Sequence, residues 1–141
     1  MWTDETVCVK WLDCQEPSSV IYVCFGSITV MSIEELLEIA WGLEASKQPF
    51  LWVIRPDLID GHSAVLPVEF LEKVNDRSFF VRWAPQRKVL SHSSVGAFLT
   101  HCGWNSTLES TSAGVPMISR PFFSEQTTNR RFVKREHAEN I

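Results

Sequence analysis

The run His101-Cys102-Gly103-Trp104-Asn105-Ser106 sits between an apolar segment ending at Thr100 and a helical pattern. Glycine lets a backbone approach a ligand closely, and Asn105 and Ser106 offer neutral donors at a helix start. Unpaired N–H groups at such a start attract phosphate, with helix–charge interactions worth ~0.3–1 kcal/mol when exposed and up to ~2 kcal/mol when partly buried. A chain of net charge −4 can therefore hold a diphosphate locally without a basic surface. Two further joints carry unusual side chains, Gly26-Ser27 and Trp83-Ala84-Pro85-Gln86. Each residue also has a plain structural use. Ser106 and Glu109 fit a Ser-x-x-Glu capping box, Trp83 and Trp104 fit half-buried packing, and His101 fits a hydrogen-bonded histidine at a strand end. Gln126 fits a polar residue in a first helical turn. Taken singly, none of them establishes a function.

The surrounding pattern places these joints. Val20–Phe25 is a short β-rich apolar run, so it predicts a buried strand. Ser32-Ile33-Glu34-Glu35 is a capping-box pattern. It opens a helix with Ile33, Leu36, Leu37, Ala40 and Leu43 on one face. Phe50–Ile54 predicts a second strand, and residues 56–78 a loop-rich connection with one short helical turn at Val68–Val74. Phe79–Trp83 reads as a third strand with a short helix after it, to about Ser91. Val95–Thr100 is a fourth strand, leading to a helix from Ser106 to about Ala113, and Val115–Ser119 is a fifth. Ser124 starts a last, basic helix. Apolar strands alternating with helices imply an α/β fold, a parallel sheet covered on both faces. In such a sheet ligands bind beyond the carboxyl ends of the strands, where the three joints lie.

Composition removes several function classes. The 141 residues fit one domain, with 45% hydrophobic and 21% charged residues. The acidic balance argues against a nucleic-acid or anionic-membrane surface. Cys8, Cys14, Cys24 and Cys102 form no CxxC pair and are expected to be buried free thiols in a reducing compartment. The N-terminus lacks a signal-peptide pattern and no run has the length of a membrane span. A soluble, cytoplasmic protein is expected, in which the sequon Asn105-Ser106-Thr107 stays unglycosylated. No two of the six glycines are spaced Gly-x-Gly, so the dinucleotide fingerprint is missing. Walker A, HExxH and Gly-x-Ser-x-Gly patterns are missing too. The four scattered histidines give no zinc spacing and no metal is expected.

The 44-residue run from Trp83 to Gln126, WAPQRKVLSHSSVGAFLTHCGWNSTLESTSAGVPMISRPFFSEQ, resembles the signature box of plant-type UDP-dependent glycosyltransferases. The Trp-x-Pro-Gln opening, the His-Cys-Gly-Trp-Asn-Ser centre, Gly-Val-Pro and the final Gln match in order. VIYVCFGS and PFLWVIR look like the same family, so the resemblance covers nearly the whole chain.

The resemblance implies the Rossmann-like C-terminal domain of a GT-B fold, which holds the nucleotide sugar. Residues 1–19 would be a linker-like segment and residues 20–141 the UDP-sugar-binding domain, truncated at its C-terminal end. Trp83 would stack on uracil, with Ala84 beside it and Gln86 bonded on the nucleoside side. Glu109 would accept from the ribose hydroxyls. His101, Asn105, Ser106 and Ser27 would contact the diphosphate, and Trp104, Glu125 and Gln126 the sugar. Gln126 implies glucose. The pair Glu125-Gln126 departs from the family's frequent Asp-Gln, a variant of branches acting on small alcohols and terpenoids. UDP-glucose would be the donor substrate, with no cofactor and no metal. The family's base is a histidine of the N-terminal domain assisted by an aspartate. None of the four histidines here corresponds to it, so no catalytic residue is expected in this chain. Two functions follow: the donor-binding half of an inverting UDP-glucosyltransferase for small lipophilic acceptors, inactive alone, or a non-catalytic UDP-sugar-binding or interaction fragment.

Overall fold

A computed structural model describes residues 5–25, 32–54, 66–100 and 104–119, apart from the side chains of Glu5, Trp104 and Ser119. The elements run α1 (Glu5–Asp13), β1 (Val20–Cys24), α2 (Ile33–Ser46), β2 (Phe50–Val53), α3 (Val68–Val74) and β3 (Ser78–Val81). They continue with α4 (Gln86–Leu90), β4 (Val95–Thr100), α5 (Trp104–Ala113) and β5 (Met117–Ser119). The five strands form one sheet in the order β3-β2-β1-β4-β5, and every pairing is parallel. This is the parallel α/β sheet expected from the alternating pattern, in the Rossmann-like form that the resemblance implies. The order reverses between β1 and β4, which opens a crevice beyond their carboxyl ends.

Side chains alternate across the sheet, as the two-residue period of a strand requires. Leu51 and Val53 of β2 face one core with Val20 and Tyr22 of β1, and there they meet Cys8 and Leu12 of α1 and Val89 and Leu90 of α4. Phe50 and Trp52 face the other core, with Val23 and with Leu36, Ile39, Ala40 and Leu43 of α2 and Phe70 and Val74 of α3. Helices therefore cover both faces. Burial pushes the Tyr22 hydroxyl well above its ordinary titration range, so it stays neutral.

Residues 1–19 contain more than a linker pattern suggests, because α1 buries Cys8 and Leu12 completely. His92 ties this helix to the turn after α4. The Ser94 backbone N–H donates to His92 Nδ1 at 3.1 Å, which places the ring proton on Nε2, 2.6 Å from Asp13 Oδ1. Just before β1 the chain crosses the start of β4 so closely that a Cβ on Gly96 would lie 2.2 Å from the Ser18 carbonyl oxygen. Only glycine fits there.

Several sequence expectations need correction. In α2, Ile39 takes the core position expected of Ile33, which is 46% exposed at the first turn. Cys14 is exposed, although Cys8 and Cys24 are wholly or partly buried and all three are free thiols. β3 ends at Val81, so Trp83 lies past the strand. The fourth correction concerns α5. It begins at Trp104, so Ser106 is already inside the helix and is no N-cap. The expected last helix from Ser124 lies outside the described residues.

Candidate functional site

α4 and α5 each follow a strand's carboxyl end and pack against each other. Pro85, immediately before α4, brings no backbone N–H to the joint and supplies no side-chain cap. Trp83 stands at this joint with 55% of its surface exposed, while Ala84 beside it is buried. An indole so exposed can present a face to a flat ring.

Gln86, the first residue of α4, reaches across to α5. Its Nε2 donates to Glu109 Oε2 at 2.7 Å and to Ser106 Oγ at 3.1 Å. The bond to the carboxylate is short, as expected for a charge-assisted contact. Ser106 is 6% exposed, and Glu109 keeps about a quarter of its side chain open, at 23%. On the other side of the carboxylate the Arg87 Nε lies 3.8 Å from Glu109 Oε1. The groove between the two helices has a volume of about 250 Å³ and is lined by Arg87, Ser91, Leu108, Glu109, Ser112 and Ala113. A carboxylate with two oxygens and about four acceptor positions, lining such a groove, suits neighbouring hydroxyl donors.

The first turn of α5 carries no acidic residue to offset its dipole. Asn105 is exposed there. The far end of α5 is fixed by a Schellman motif. Gly114, at φ 72°, donates to Thr111 O, and Val115 N–H donates to Ser110 O, both at 3.1 Å. The Ser110 hydroxyl adds a bond to Val115 O at 2.8 Å. Among the described residues no group of three His, Cys, Asp or Glu could hold a metal ion.

Of the residues singled out from sequence, the structure brings Gln86, Ser106 and Glu109 into direct contact, with Trp83 and Ala84 on the joint just before them. Asn105 is adjacent to Ser106 at the helix start. Ser27, His101, Glu125 and Gln126 lie outside the described residues, as does the Trp104 side chain. Arg87 was not anticipated. Its only sequence signal is its place next to Gln86 at a helix start, a solvated position for most arginines.

Residues 8–140 match the family described as UDP-glucoronosyl and UDP-glucosyl transferase. The chain is 60% identical over 129 residues to a 7-deoxyloganetin glucosyltransferase of Gardenia jasminoides, covering 92% of this chain and 27% of that protein. It is 56% identical over 132 residues to an (R)-mandelonitrile beta-glucosyltransferase of Prunus dulcis, with 94% and 27% covered. The chain thus spans about a quarter of the length of these relatives. Its fold superposes on a UDP-glucose: anthocyanidin 3-O-glucosyltransferase in complex with UDP at a TM-score of 0.84. That match has 44% identity and covers 94% of this chain and 29% of the other. Phytolacca americana UGT2, complexed with UDP-2fluoro-glucose and pterostilbene, gives a TM-score of 0.79 at 51% identity, with 91% and 28% covered. No helix among the described residues is long and apolar enough to cross a membrane.

Proposed function

The chain belongs to the UDP-glucoronosyl and UDP-glucosyl transferase family, and on that premise we propose that residues 20–141 are the donor-binding domain of a UDP-glucosyltransferase. The whole protein transfers glucose from UDP-glucose, with inversion, to a hydroxyl of a small lipophilic acceptor in the cytoplasm. One observation carries this reading. Glu109, which lines the α4–α5 groove, is bonded to Gln86, and Gln86 follows the exposed Trp83 by three residues. That arrangement suits a nucleoside: a ring stacked on the indole and a ribose diol donating to the carboxylate.

The residues then divide the donor among them. Trp83 and Ala84 take the uracil, Gln86 and Glu109 the ribose side, and His101, Asn105, Ser106 and Ser27 the diphosphate. Trp104, Glu125 and Gln126 take the sugar hydroxyls. In the transfer the acceptor oxygen attacks the anomeric carbon opposite the diphosphate, and its proton goes to a base outside this donor site. The bond from sugar to diphosphate breaks with its electron pair leaving on the β-phosphate. The task of this domain is to hold the donor in line and to stabilise the charge that develops on that phosphate. The α5 N-terminus suits the second task, since no acidic side chain in its first turn competes for the dipole.

Calorimetric titration with UDP tests the reading. Base–aromatic stacking is worth ~1–3 kcal/mol by alanine substitution, so Trp83→Ala should weaken UDP binding about tenfold or more. An unchanged affinity in the folded variant would remove Trp83 from the site.

A further inference from the structure

Resting on the reading of Trp83 and Gln86 as nucleoside contacts, we propose that the Asp13–His92 pair is a latch that carries occupancy of the donor site to α1. The link is α4. It is five residues long, roughly 7–8 Å by the helical rise, and so short a helix has little stability of its own. Its order comes from its ends. At the start, Gln86 bonds to α5 and follows Trp83 by three residues. At the other end, His92 N–H donates to Val89 O and Val95 N–H donates to His92 O, both at 3.1 Å, so the main chain of His92 joins α4 to β4. Ser94 holds the ring, its N–H 3.1 Å and its Oγ 2.9 Å from Nδ1. That leaves Nε2 to donate to Asp13 Oδ1 at 2.6 Å. One end of α4 thus serves the nucleoside, and the other is fastened to the last residue of α1.

Apolar contacts alone do not set this fastening. Cys8 and Leu12 of α1 share a core with Val89 and Leu90 of α4, and Trp11 stacks on Phe79 with ring centroids 5.6 Å apart. Burial of that kind is non-directional, whereas the Asp13–His92 bond fixes the last turn of α1 in one register against the end of α4. The residue type points to the same role. A carboxylate in a last helical turn opposes the helix dipole, so Asp13 is a poor choice for α1 by itself. Its side chain is 61% exposed, so packing does not require it, but the ring it accepts from is only 16% exposed. When a nucleotide orders the start of α4, the far end of this short helix loses freedom as well, and the latch passes that ordering to α1.

Hydrogen exchange on the full-length protein, with and without UDP, tests the latch. UDP should slow exchange about threefold or more along α4 and also along α1. In Asp13→Ala and in His92→Phe the slowing should persist on α4 and vanish from α1. UDP affinity by calorimetry should stay within about twofold of the unaltered protein. Asp13→Ala removes a residue that is unfavourable at a helix end, so a weakened α1 cannot account for the loss. Asp13→Asn, whose carbonyl oxygen still accepts from Nε2, should keep the response of α1. A purely structural role would speed α1 exchange equally with and without UDP and leave its response intact, and that result overturns the proposal. So does an Asp13→Asn variant that behaves as Asp13→Ala. An unaltered protein that binds no UDP removes the donor-site reading and this inference together. Bound UDP with an unresponsive α1 removes the inference alone.

Discussion

The pattern Ser-x-x-Glu occurs on both sides of the sheet, and the two copies are used differently. On the α2 side, Ser32 precedes the helix with extended backbone and its Oγ accepts from Glu35 N–H at 3.2 Å. The Ser32 hydroxyl also lies 3.3 Å from Glu35 Oε1. Serine and glutamate are both engaged with their own helix, and Glu34 and Glu35 offset its dipole. On the α5 side, Ser106 and Glu109 both turn to Gln86 of another helix, and the first turn carries no acidic residue. The cores behind them differ in the same sense. Phe50, Trp52, Phe70 and Phe80 form a connected aromatic cluster under α2 and α3. The buried polar residues Ser94, Thr100, Ser106, Thr107 and Ser110 all fall on β4, α5 or the turn before β4. A first turn that carries its own cap and acidic residues serves stability, and one without acidic residues can serve a ligand.

The largest effect that could break this contrast is in the aromatic core. Phe70 is fully buried, with ring centroids 6.2 Å from Phe50, 5.7 Å from Trp41 and 6.4 Å from Phe80. Phe70→Ala should cost about 3–5 kcal/mol of stability while the UDP affinity of the folded fraction stays as it was. Chemical denaturation followed by titration at low temperature checks both halves. A parallel fall in affinity would show that the α2/α3 face takes part in the site.

Glu109→Ala should have the opposite profile. Losing hydrogen bonds to a charged acceptor costs roughly 1.5–3 kcal/mol, here expressed as UDP binding weakened about ten- to a hundredfold. Thermal unfolding should move little, because the carboxylate is partly solvated and Gln86 can turn to water. Comparable losses in stability and binding would mean that Glu109 serves mainly to pin α5 to α4.

The sheet, the helices and the parallel order were legible because the strands are short apolar runs bounded by turn residues and the helices are amphipathic. Errors fell where one residue decided the outcome. Ile33 has the right spacing for the α2 face, but it occupies the first turn, where the helix has not yet reached the core, and Ile39 packs instead. The Ser106 pattern reads as a cap from sequence, with its helix start two residues late, and the structure makes it no cap. That shift alone separates a cap from a cross-helix bond, and no local pattern reveals Gln86 as the partner, twenty residues earlier. The order of the signature residues was legible through resemblance, whereas the geometry of Glu109 needed the packing of α4 on α5. Arg87 was invisible because its position makes sense only once that packing is known.

The smallest effect is the sharpest test of the two Ser-x-x-Glu copies. Ser32→Ala removes an N-cap that accepts from Glu35 N–H, and caps of this kind are worth about 1 kcal/mol. Stability should fall by that amount and UDP affinity should not change, since α2 lies on the other face from α4 and α5. Ser106→Ala removes no cap, because α5 is already formed two residues earlier. It leaves one Gln86 N–H in search of an acceptor, so Gln86 should hold Glu109 less firmly. UDP affinity should then fall more than stability does. Measured side by side by denaturant unfolding and titration, the two substitutions should separate cleanly on those two axes. If Ser106→Ala instead matches Ser32→Ala on both, the hydroxyl at position 106 is serving its own helix after all, and the two copies of the pattern are equivalent.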